Sequence, residues 1–178
     1  LEFRRVLFRS DGESVLESVT LLDGPDLVED VLLVVRTSHG VARMSVHRAA
    51  DGAFLYDVPL PGAGTIGGPV DRIDGGPVAW FVFTDHTTVP TIYRFDARDG
   101  SVALHAQPPG TVEVPKVWSQ QVVYPSKDGT PVRMFVLSPT EAPDRPRPTI
   151  LYGYGGFGVD RKSTRLNSSH SQQSRMPS

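Results

Sequence analysis

The residues best placed by type and spacing to do chemistry lie in ThrIleLeuTyrGlyTyrGlyGlyPheGly, residues 149–158. The β-prone run Thr149, Ile150, Leu151 and Tyr152 predicts a buried strand, and the glycines at 153, 155, 156 and 158 allow backbone conformations or close approaches that a Cβ would obstruct. Such a turn at the end of a strand could hold Tyr154 and Phe157 over a ligand, the phenol as a hydrogen-bond donor and the phenyl ring as a pocket wall. The plainer account is an aromatic turn that caps a core, and spacing alone favours it.

Other candidate chemistries are weaker. His39, His47, His86, His105 and His170 show no HExxH or other close pairing, and the chain has no cysteine, so no metal or other cofactor is expected. Each histidine is expected at the surface or in a turn. Carboxylates cluster at turns, where Asp satisfies local backbone groups. No serine sits in a GxSxG elbow, and GlyAlaGlyThrIleGlyGlyProVal (62–70) lacks the GxxxxGK[ST] pattern of a phosphate-binding loop.

The elements that must position residues 149–158 are predicted to be strands. With 39% hydrophobic residues, 17 Gly and 16 Pro among 178, the composition is that of a turn-rich folded segment. Strands are expected within 11–23, 27–38, 41–48, 54–61, 62–70, 78–85, 91–96 and 101–106, the strongest being ValAlaTrpPheValPheThrAsp at 78–85. Along 41–48, Ala42, Met44 and Val46 alternate with Arg43, Ser45 and His47, which predicts an antiparallel strand with one core face. The order strand, AspGly turn, strand occurs at 46–58 and again at 92–104, a weak repeat of about 46 residues that suggests radially repeated four-stranded units. A sandwich would use the same turns.

After ProProGly (108–110) the rhythm changes. An extended stretch at 112–125 and ValArgMetPheValLeuSer (132–138) flank an AspGly turn at 128 and 129, and a proline-rich crossing at 140–148 precedes the glycine-rich stretch. A domain boundary is expected near 108–116.

The ends differ from the middle. Residues 1–10 and 161–178 resemble translated sequencing adapter or linker sequence and are expected to be non-native flanks, the competing reading being a native basic tail. The whole chain has net charge −2, whereas residues 11–160 carry −8. An acidic segment without a basic patch argues against a nucleic-acid partner. No apolar run is long enough for a membrane span.

Three segments in order carry a family resemblance. PheThrAspHisThrThrValProThrIleTyrArgPheAsp (83–96), ValTyrProSerLysAspGlyThrProValArgMetPheVal (123–136) and LeuTyrGlyTyrGlyGlyPhe (151–157) resemble the prolyl oligopeptidase family of serine peptidases. The resemblance covers about residues 14–160 and is most specific from 121 onward. It implies a mainly β fragment: the C-terminal blades of a seven-bladed β-propeller at 11–110, followed at 111–160 by the first strands of an α/β-hydrolase domain. It also implies a parent that hydrolyses short proline-containing peptides after proline through a Ser, Asp and His triad. By the same resemblance Tyr154 supplies its hydroxyl to the oxyanion hole, Phe157 lines the substrate pocket, and PheGly at 157 and 158 favours the proline-specific branch. No nucleophile elbow follows Tyr154, so the fragment by itself is expected to be inactive. A monomeric, cytoplasmic parent without membrane association is expected. The alternatives are a non-catalytic propeller-type protein-binding module and a related oligopeptidase of different specificity.

Overall fold

A computed structural model describes residues 14–110 and 115–153. The predicted sites Tyr154 and Phe157 lie outside the described residues, as do the two terminal flanks.

The described residues form ten strands: β1 (Ser14–Leu22), β2 (Val31–Ser38), β3 (Val41–Arg48), β4 (Phe54–Asp57), β5 (Thr65–Asp71), β6 (Val78–Thr84), β7 (Thr91–Asp96), β8 (Ser101–Ala106), β9 (Trp118–Pro125) and β10 (Pro131–Ser138). They pair in sequence order into two four-stranded antiparallel meanders, β1–β4 and β5–β8, and one hairpin, β9–β10. The mainly β architecture expected from the sequence is therefore present. Among the described residues no helix is long and apolar enough to cross a membrane.

The meanders stack face to face. Leu22, Leu33, Val35, Met44 and Val46 of the first and Ala79, Phe81, Phe83 and Phe95 of the second form one core in which each is almost fully buried. The alternation expected along β3 is realised, with Ala42, Met44 and Val46 all facing that core. Tyr93 locks the aromatic side, stacked on Phe81 at 5.7 Å and edge-on to Phe83 at 6.2 Å. The adjacent residue Trp80 points to the opposite face of β6, so the aromatic run divides between two surfaces.

The two AspGly turns have one backbone design. The amide of Gly52 donates to the Arg48 carbonyl at 2.8 Å and that of Gly100 to the Asp96 carbonyl at 2.9 Å. The side chains of Asp51 and Asp99 accept from the amides two residues on, Ala53 at 3.0 Å and Ser101 at 2.9 Å. Gly52 and Gly100 take φ of 73° and 70°, the left-handed region where a Cβ is strained. The AspGly turn at 128 and 129 is tighter: Gly129 donates to the Ser126 carbonyl at 2.9 Å, and Thr130 is held by Asp128 at 3.0 Å.

Two expectations need correction. Residues 149–152 form no strand, and Ile150, Leu151 and Tyr152 are 93%, 83% and 57% exposed. A strand is buried only where neighbouring strands and a covering layer exist, and no described strand pairs with this run. His47, expected at the surface or in a turn, is a buried strand residue of β3. Its Nδ1 donates to the Gly52 carbonyl at 3.0 Å, its Nε2 meets the Ser45 hydroxyl at 3.0 Å, and its ring stands edge-on to Phe54.

Candidate functional site

The chain divides into a compact unit ending at Asp144 and a second beginning at Arg145. Within the second, the described part of the glycine-rich stretch is the extended run up to Gly153, and a Cβ at Gly153 would meet nothing within 4 Å. The sequence-predicted site residues Tyr154 and Phe157 follow that run and lie outside the described residues.

The first unit contains a cleft of about 470 Å³ that the sequence did not point to. Its walls come from the β2–β3 turn (Ser38, His39), Arg43 of β3, the β6–β7 loop (Asp85, Thr87) and the β9–β10 hairpin (Trp118, Gln121, Phe135). The Gln121 amide donates to the His39 carbonyl at 2.9 Å, and His86 and Phe135 rings lie 5.4 Å apart, so these two contacts fix the hairpin against the loops of both meanders. His39 has φ 52°, and the left-handed turn sets its carbonyl where Gln121 reaches it.

The carboxylate of the cleft, Asp85, is already organised. Burial pushes the Asp85 carboxyl up, but hydrogen bonds from the Thr87 amide (2.7 Å), the Thr87 hydroxyl (2.9 Å) and the Thr88 amide (2.6 Å) outweigh it and hold the carboxyl below its usual value. One oxygen takes all three bonds. Asp85 is thus a fixed acceptor that shapes the β6–β7 loop. A proton-transfer role has no support, because a general base works best with a value near the operating pH. The AspHisThrThr pattern at 85–88 is the sequence signal that could have located this loop, since Asp followed by Thr at two and three positions closes such turns. Among the described residues no group of three or more His, Asp or Glu side chains could hold a metal ion.

No family model matches the chain. Curated relatives do: over 113 residues, 61% of this chain, it is 34% identical to a prolyl endopeptidase of Elizabethkingia miricola. The chain is homologous to the prolyl oligopeptidase family. The prolyl endopeptidase of Elizabethkingia meningoseptica is 31% identical over the same length. A solved prolyl endopeptidase superposes on 74% of the chain with a TM-score of 0.59 and 27% identity. This chain spans 15% of the first relative's length and 18% of that solved chain. The homology to prolyl oligopeptidases is thus one of a segment to much longer enzymes.

Proposed function

We propose that this chain is part of a proline-specific serine oligopeptidase. The observation that carries the reading is the 34% identity to a prolyl endopeptidase over 113 residues, joined to LeuTyrGlyTyrGlyGlyPhe at 151–157. In this reading the two meanders, within 11–110, are neighbouring blades of a propeller that caps the catalytic domain. The β9–β10 hairpin and the glycine-rich stretch, within 111–160, open an α/β-hydrolase domain. The division of sequential meanders from a separately paired hairpin supports that arrangement.

Tyr154 then contributes to catalysis as an electrophilic donor. In acyl transfer the substrate carbonyl oxygen gains negative charge as the nucleophile adds, and a phenolic hydroxyl aimed at that position stabilises the transition state more than the ground state. Phe157 supplies an apolar wall for the proline ring. The nucleophilic serine and the histidine that relays its proton are contributed by the rest of the enzyme, so the 178-residue chain alone hydrolyses no peptide.

The test is Tyr154→Phe in the full-length parent. Loss of one oxyanion donor lowers kcat about 100- to 1000-fold while KM stays nearly constant. An unchanged kcat/KM on prolyl peptides would remove Tyr154 from the mechanism. Matched substrates with proline or arginine before the scissile bond test the specificity, and equal or preferred cleavage after arginine would transfer the parent to the basic-residue-specific branch.

A further inference from the structure

We draw no further inference here: the strongest candidate, the cleft between the β2–β3 turn, the β6–β7 loop and the β9–β10 hairpin, where Arg43 lies near an Asp85 already committed to its own loop, belongs to the candidate site described above, and nothing in the structure shows what fills or covers it in a chain that spans 15% of its first relative's length.

Discussion

Arg48 and Asp96 occupy the same place in the two meanders, at the end of the third strand and one turn before an AspGly pair, yet they carry opposite charges in different surroundings. Arg48 reaches out to Glu29 at 2.9 Å and Asp51 at 3.0 Å, with all three side chains 39% exposed or more. Asp96, with a side chain only 6% exposed, accepts from Arg94 and Arg98 at 2.6 Å each and from the Arg98 amide at 3.1 Å. The backbone turn that follows is the same in both. The repeat therefore conserves the groups that satisfy the main chain, Asp51 with Gly52 and Asp99 with Gly100, and leaves each unit to neutralise the flanking charge with its own side chains. What differs is the weight each solution carries, because the same ion pair counts for more when its acceptor is out of water.

The sharpest way to break the equivalence is at the shared core, to which the second meander brings aromatic rings and the first brings aliphatic side chains. Phe83→Ala is expected to cost about 3–5 kcal/mol in urea unfolding, more than Val35→Ala, whose lost area is worth about 1.5–2 kcal/mol. Equal losses would mean that the two sides share the core evenly. Next in size is Asp96→Asn, which removes charge-assisted bonds from a buried acceptor and is expected to cost about 1.5–3 kcal/mol. The hydrogen bonds from Arg98, chiefly, together with those from Arg94, hold the Asp96 carboxyl well below the usual carboxylate range. A depressed folded value gives stability that is fully present above the unfolded value of about 3.9 and is lost as pH falls through the folded one. The wild-type chain should therefore lose stability progressively as pH drops below about 4, with Asp96→Asn flattening that acid limb, and parallel curves for the two proteins would refute the assignment.

Gly100→Ala comes third, at about 1–2 kcal/mol, since Ala must adopt a positive φ and its Cβ would also press on Tyr56 at 3.4 Å. Gly52→Ala carries the same φ penalty, so its thermal midpoint is the reference against which that of Gly100→Ala is compared. The smallest effect belongs to Arg48→Ala, because its partners are exposed and water screens the pairs. A loss there as large as that of Asp96→Asn would show the two charge arrangements to be equivalent after all.

Much of the strand pattern was legible because its causes are local. AspGly at 51, 99 and 128 marks three connections, and the alternation of Ala42, Met44 and Val46 names the core face of β3 without any knowledge of what covers it. Site reading fared differently. Tyr154 and Phe157 were singled out by type and spacing and lie outside the described residues, whereas the cleft between His39, Asp85 and Gln121 joins residues far apart in the chain. The AspHisThrThr signal for its loop was present but ordinary, since most such turns are only turns.

By itself the sequence determined where the chain turns, which strand residues can face a core, and the kinship carried by LeuTyrGlyTyrGlyGlyPhe, because these depend on residue type and near-neighbour spacing. Only the tertiary structure decided which apolar faces meet. It buried His47 against Gly52 and Ser45 instead of leaving it at the surface, and it left Ile150 and Leu151 exposed where their composition predicted a core strand. Burial depends on a partner distant in sequence, and a segment of β-prone residues without such a partner has nothing to bury against.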